Sequence, residues 1–243
     1  MSPDKREHRG AHPSDRELFG AERQGVLRRA TSELSWLMTR GYAIVAALKL
    51  VGDRYGLTHR QRLAISRAAC SDEQRARRQA RCLTLEEAAG RSLMIDGFNL
   101  IITVEAAMSG GLLIRARDLT IRDLSSVHGS YRSVQETLGA IRLVGEALEA
   151  IKPREARWLL DRPVSNSGRL AQKIKEVAEE ARWPWTVETV FNPDKLIQAS
   201  AHVAVTSDSM ILDNAAHWLN LNQHLITGYL SDAWLIDLSS EES

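Results

Sequence analysis

The sequence predicts an α/β fold, with a mostly parallel sheet covered by helices and a small all-α domain ahead of it. Three observations predict it. Short apolar runs recur after residue 90, and three of them, SLMID, ARWLLD and HVAVTSD, close on an aspartate. Continuous rather than alternating apolar runs are the mark of strands buried on both faces. Amphipathic helical stretches separate these runs, the rhythm of a parallel sheet with crossover helices. Before residue 90 the apolar positions recur only at helical spacing.

In chain order, residues 1–16 are charged and interspersed with Pro, Gly and His, which predicts a disordered tail. Residues 17–90 predict a small basic helical domain. Leu34, Leu37, Met38, Tyr42, Val45 and Leu48 recur at helical spacing, Gly52 and Gly56 loosen that helix, and Thr58 is a good N-cap for the next. Thr84 with Glu86 and Glu87 opens a further short helix. Residues 91–243 predict the α/β domain. After the run ending at Asp96, helices are expected over 99–108, 133–150, 170–181, 195–199 and 213–221. Strands are expected at 112–114, 156–161, 185–190 and 202–208, with a last one at 233–238.

With 243 residues, 44% hydrophobic, the chain can bury a sizeable core in one domain or two. The formal net charge of +1 is uninformative, but its distribution is not. Up to Gly90 there are 17 Lys and Arg against 11 Asp and Glu; beyond it, 15 against 20. A basic first part suits either an anionic partner or a merely well-solvated surface. Cys70 and Cys82 are too few for a disulfide framework and lack zinc-binding spacing, which predicts a reducing, cytoplasmic setting. The polar N-terminus has no secretory pattern and no apolar run approaches 18 residues, so no membrane partner is expected. Self-association into a homo-oligomer is left open.

Right-handed crossovers bring the carboxyl ends of parallel strands to one edge, where such sheets bind ligands. Asp96, Asp161 and Asp208 are each at the end of a run, and Asp213 follows five residues after Asp208. Clustered carboxylates repel one another, and a hard divalent cation, Mg²⁺ or Mn²⁺, relieves that repulsion. Such a cation activates water and stabilises charge on a phosphoryl oxygen. Against this stands a plainer role, since an aspartate after a strand commonly caps the next helix.

Two polar loops are expected at the same edge. RPVSNSGR follows the second of these runs and supplies Arg162, Asn166, Ser167 and Arg169, either a phosphate seat at a helix N-terminus or a Ser/Asn turn with solvated arginines. RDLSSVHGSYR supplies His128 and Arg132 as further candidates for holding phosphate. No GxSxG is present for a serine hydrolase. Phe98 stands where an Asp-x-Asp phosphatase needs its second aspartate.

LMIDGFNL, with Asp96 and Asn99, resembles the first strand of PIN-like nucleases, particularly their NYN branch. VAVTSDSMILD, with Ser207, Asp208 and Asp213, looks like that family's later acidic motif, and WLLDRPVSNSG places Asp161 where a second-strand acid lies. The whole chain also resembles a prokaryotic family that joins a helical N-terminal domain of unknown function to a PIN-like domain. The resemblance implies a three-layer Rossmann-like α/β/α domain and Mg²⁺- or Mn²⁺-dependent cleavage of RNA, ahead of DNA. It implies Asp96, Asp161 and Asp208 as metal ligands and Asp213 as a further catalytic acid. Asn99, His128, Arg132, Arg162, Asn166, Ser167, Arg169 and Ser207 would then bind substrate. The chain departs from the pattern in one place. The acid that PIN nucleases carry before strand two has only Glu136, Glu146 and Asp123 to represent it, none in a recognisable motif. That departure keeps open a non-catalytic nucleic-acid or nucleotide-binding protein with a degenerate site.

Overall fold

A computed structural model describes residues 8–125 and 129–239. The chain opens with α1 (Asp15–Leu18), α2 (Ala21–Thr39), α3 (Ile44–Arg54), α4 (His59–Ala68) and α5 (Asp72–Arg81). The apolar series expected to run as one helix is split between α2 and α3, because Gly41 takes φ +82°, a left-handed conformation that ends a helix at little cost only for glycine. Thr58 and Ser71 close capping boxes with Gln61 and Gln74, which fixes where α4 and α5 start.

Strand β1 (Cys82–Leu83) and α6 (Leu85–Ala88) come next, so the stretch up to residue 90 is not wholly helical. Then follow β2 (Ser92–Asp96), α7 (Gly97–Met108), β3 (Leu113–Arg115), β4 (Ile121–Asp123), α8 (Thr137–Ile151), β5 (Glu155–Asp161) and α9 (Ser167–Ala181). The chain continues with β6 (Trp185–Val190), α10 (Pro193–Gln198), β7 (Val203–Val205), α11 (Ser209–Asn214), β8 (Trp218–Leu219), α12 (Leu221–Tyr229) and β9 (Leu235–Asp237). The helix expected over 213–221 is thus a helix end, a short strand and a helix start.

Six strands form a parallel sheet in the order β1-β8-β7-β2-β5-β6. Alternation along its strands divides the core. Leu93, Ile95, Trp158, Leu160, Val203 and Val205 pack on one face with α7, α8, α9 and α12. Met94, Leu159 and Ala204 pack on the other with Ile197 of α10 and Ile211 and Leu212 of α11. The result is three layers, α/β/α. The central strands β2, β5 and β7, three to seven residues long and largely buried on both sides, explain why their sequences read as continuous apolar runs.

A second, three-stranded sheet, β4-β3-β9, lies apart from the first. Its Leu112, Ile114, Ile236 and Leu238 share a core with Leu27, Leu34, Val51 and Ile65 of the N-terminal helices. The helical part is therefore packed on strands from the other part of the chain, and the main sheet begins at Cys82 rather than after residue 90. Residues 8–16, expected to be disordered, are placed. Buried Arg9 pairs with Glu105, itself fully buried in α7, and buried Asp15 pairs with Arg60 of α4.

Candidate functional site

Counted from β2, the strands β2, β5, β6, β7 and β8 lie in the spatial order third, second, first, fourth, fifth. That is the order of doubly wound Rossmann sheets, and the crevice at its switch point opens between the first and fourth strands, here β2 and β7. Asp96 ends β2, and Thr206, Ser207 and Asp208 follow β7. Gly97 permits the tight exit from β2, since a Cβ there would meet the Leu160 side chain at 2.7 Å and the Leu159 carbonyl at 3.1 Å.

A short network fixes this crevice. The Thr206 hydroxyl donates to Asp96 Oδ2 at 3.0 Å and accepts from the Asp208 N–H at 3.0 Å. Asn99 Oδ1 accepts from both the N–H and the hydroxyl of Ser207, at 2.8 and 2.9 Å. Asn99 and Ser207 are thus brought together, as a clamp across the switch point. Asp96 also caps α7 through the Asn99 N–H, and Asp208 caps α11 through the Met210 N–H at 2.7 Å. The capping role is real for both aspartates, and it leaves each with carboxylate lone pairs to spare.

Asp96, Asp161 and Asp194 line a cleft of about 240 Å³ with Phe98, Val164 and Pro193. Burial and the neighbouring Asp208 push the Asp96 carboxyl up to about 7. Asp194 is also raised, by burial and by Asp208 and Asp161. Among the described residues, no basic side chain lines this cleft. Asp194 is a residue that sequence reading missed. It follows Pro193 at the first turn of α10, four residues beyond the end of β6, a placement like that of the other strand-end aspartates.

A second cleft, about 440 Å³, opens on the far side of Phe98 and is lined by Arg67, Asn99, Arg122, Ser207 and Asp208 among others. Arg122 is nearly buried and donates to the Ser207 carbonyl at 2.8 Å. Arg67 of α4 reaches the carbonyls of Asp123 and Ser125. Neither arginine stood out in the sequence, where one was part of a generally basic surface and the other of a loop.

Asp213 stands apart from the cleft, which corrects its expected place in the site. Its carboxylate accepts from Arg78 Nε at 2.8 Å and from Gln74 at 2.7 Å, with Arg77 at 3.4 Å. Burial would raise it, but Arg78 outweighs burial and holds it below the ordinary carboxylate range. Arg78 is itself buried and also pairs with buried Asp118 at 2.6 Å. Much of the charge difference between the two parts of the chain is spent internally in this way. Asp123 is buried beneath α7, accepting from Thr103 at 2.8 Å, and Glu136 faces His8.

The two polar loops meet each other. Ser130 bridges to Ser165, the Tyr131 N–H donates to the Ser165 carbonyl at 3.1 Å, and Asn166 Nδ2 donates to the Tyr131 carbonyl at 2.7 Å. Asn166 is therefore a loop tie, and Ser167 is buried with its hydroxyl facing the Arg162 carbonyl. Both were expected to touch substrate. Arg162, Arg169 and Arg132 are exposed. The Arg132 carbonyl accepts from Arg9 at 2.8 Å. His128 lies outside the described residues.

Among the described residues, no three His, Cys, Asp or Glu side chains converge as a metal cage. The donors at the switch point are all carboxylates, which suit a hard cation held by one or two of them and completed by water. Burial pushes the Cys70 thiol up to about 11, so it is no nucleophile. No helix among the described residues is long and apolar enough to cross a membrane.

Comparison with known proteins adds family without activity. Residues 26–81 are similar to the family described as Protein of unknown function (DUF434). A protein of Methanocaldococcus jannaschii, named Uncharacterized protein MJ0935, is 32% identical over 186 residues, spanning 76% of this chain and 88% of its own length. No solved structure matches. Residues 85–224, which contain the whole switch-point network, match the remaining family, and the chain belongs to it: Domain of unknown function (DUF5616).

Proposed function

We propose that this chain is a PIN-like nuclease that hydrolyses phosphodiesters with a carboxylate-bound Mg²⁺ or Mn²⁺, acting on RNA ahead of DNA. The observation that carries the reading is positional. Asp96 and Asp208 face each other across the switch point, Asp161 and Asp194 stand beside them, and among the described residues no basic side chain lines the cleft that Asp96, Asp161 and Asp194 share. Several carboxylates gathered without cationic compensation are costly to a fold. A divalent cation removes that cost, and Asp96 and Asp208 are the pair that would hold it. When bound there, it would stabilise charge on a phosphoryl oxygen.

The chain's own groups supply the rest. Thr206 holds the Asp96 carboxylate in one orientation, and the Asn99–Ser207 clamp keeps the two strand ends at a fixed separation. Orientation of ligands by such outer partners is usual at metal sites. Arg67 and Arg122 line the adjoining cleft together with Asp123 and Asp208, and Arg67, the more exposed of the two arginines, is the one an anionic strand would meet there. Asp161 and Asp194, the outer carboxylates, would accept a proton from water near the scissile phosphate.

The test is cleavage of single-stranded and structured RNA in Mn²⁺ by the purified protein. Asp96→Asn and Asp208→Asn are expected to lower the rate by at least about 100-fold, the upper end of what loss of a ligand's outer partner costs. Absence of any cleavage that depends on both Mn²⁺ and Asp96 would remove the reading. That no three-carboxylate cage is found among the described residues favours a second one, a non-catalytic nucleic-acid or nucleotide-binding protein. It expects salt-sensitive RNA binding that persists in Asp96→Asn and in EDTA.

A further inference from the structure

The geometry points to a nucleobase-stacking subsite at the rim of the carboxylate cleft, in which Phe191 carries an unpaired base of the bound strand and Arg162 holds that nucleotide's phosphate. This inference rests on the nuclease or nucleic-acid-binding reading and adds a place for the strand beside the reacting centre.

The two side chains are brought together by the sheet. Strands β5 and β6 are paired up to Asp161 and Val190, and the ladder runs one step further, with the Arg162 N–H donating to the Val190 carbonyl at 2.8 Å. Phe191 therefore emerges beside Arg162, and the guanidinium lies over its ring at 5.2 Å from the centroid. Asn192, in the left-handed region at φ +53°, then turns the chain into α10. That turn places Pro193 and Asp194 in the cleft with Asp161, so the ring–guanidinium pair adjoins in sequence, on both strands, residues of the cleft that holds Asp96, Asp161 and Asp194.

Both side chains are unlike structural ones. Phe191 is 63% exposed, although it directly follows a strand of the core sheet. Arg162 is adjacent in sequence to Asp161, yet its guanidinium lies over the ring of Phe191. An exposed aromatic face stacks any base, and a guanidinium laid over a ring keeps its N–H edge free for a phosphate. The position also answers an electrostatic need. A polyanion approaching a cleft whose charged lining, among the described residues, is three carboxylates is repelled, and a cation at the mouth, within a Debye length, offsets that repulsion locally. Phe98 and the 67%-exposed Met210 border the opposite side of the same carboxylates, which leaves an apolar path on either side of the site.

The test measures binding of a hexaribonucleotide carrying one 2-aminopurine, in EDTA so that no cleavage occurs. The readouts are quenching of its fluorescence and affinity against salt. Phe191→Leu, which keeps an apolar side chain but removes the ring, is expected to weaken binding about 10-fold and to abolish quenching, within the range that one base stack supplies. Phe191→Tyr is expected to bind within about twofold of wild type. Arg162→Ala is expected to flatten the dependence of log affinity on log salt by about 0.7, the loss of one phosphate contact on a single strand. Binding by Phe191→Leu equal to wild type overturns the proposal. So does an equal loss in Phe191→Tyr, which would make the role structural. Competition by adenosine monophosphate as strong as by the hexamer overturns the assignment to a strand. A separate Mn²⁺ cleavage assay tells the two readings apart. A wild type that cleaves while Phe191→Leu binds unchanged removes the subsite alone. A wild type that fails to cleave but loses EDTA-resistant binding with Phe191→Leu removes the nuclease reading alone.

Discussion

Helix α11 joins two groups of aspartates that have opposite surroundings. At its N-terminus Asp208 faces Asp96 and Asp194, and burial and mutual repulsion push the Asp96 and Asp194 carboxyls up. Near its other end Asp213 joins Asp118 around Arg78, and both of these carboxyls lie below the ordinary range. Burial acts to raise all four. What separates the groups is the counter-charge, since Arg122 and Arg78 outweigh burial at Asp118 and Arg78 does so at Asp213. One cluster is electrostatically finished inside the protein and works as a joint between α5, α11 and the loop before β4. The other is unfinished, and an unfinished acidic cluster at a switch point is where a cation from outside has something to do.

The sharpest way to break this comparison is to unfinish the finished cluster. Arg78 is 1% exposed and bonds Asp118, Asp213 and the Ser209 carbonyl at once. Arg78→Met keeps the stem but removes the cation that both carboxylates share, leaving Asp118 to Arg122 and Asp213 to Gln74 and Arg77; removing one partner of a buried pair costs up to about 3–5 kcal/mol. Urea denaturation at pH 7 measures it, and a loss below about 1 kcal/mol, the worth of an exposed pair, would show that the cluster is not the joint described.

How far the sequence revealed these clusters follows from geometry. Asp96 and Asp161 were legible because a strand buried on both faces writes itself as an apolar run, and its end is then visible. Asp213 was misplaced because five residues along a helix amount to a rotation of about 140° from Asp208, which turns it toward α5. Asp194 was missed because its strand, Trp185–Val190, lies at the sheet edge and alternates, and its helix has only six residues. Two strands of the second sheet were legible, near 112–114 and 233–238, but β4 and the pairing were not. Leu113–Arg115 pairs with Leu235–Asp237 across more than a hundred residues, and an apolar run does not say which partner it will find.

The next test uses pH to separate the clusters. Asp96 is raised in the folded chain, from an ordinary 3.8 to about 7. A raised carboxyl contributes fully below its unfolded value, and that contribution is lost as pH rises toward its folded one. Wild-type stability should therefore decline between about pH 4 and pH 7 on this account. Asp96→Asn removes the decline and should gain on the order of 2–4 kcal/mol at pH 8, less the one hydrogen bond an amide oxygen cannot duplicate. The Arg78 cluster has the opposite sign. Its lowered carboxyls stabilise above their unfolded value and lose that contribution as pH falls through the lowered ones, so its signature is confined to acid below about pH 4. Denaturation curves across pH 3–8 for wild type and Asp96→Asn resolve both windows. A variant whose curve parallels wild type from pH 4 to 8 would refute the unfinished state of Asp96.

The smallest effect is the most specific to function. If the switch-point carboxylates lack only a cation, Mn²⁺ should stabilise the protein at pH 8 and should do nothing for Asp96→Asn. Mass action sets the size, about 2.7 kcal/mol when free Mn²⁺ stands at a hundred times its Kd and about 1.4 kcal/mol at ten times. Asp213→Asn is the control that the comparison supplies. Its carboxylate is already satisfied by Arg78 and Gln74, so the variant should lose stability while keeping the full Mn²⁺ increment. Thermal melts with and without Mn²⁺ for the three proteins decide it. Stabilisation that survives Asp96→Asn, or that disappears in Asp213→Asn, would place the cation elsewhere and leave the switch-point aspartates as helix caps.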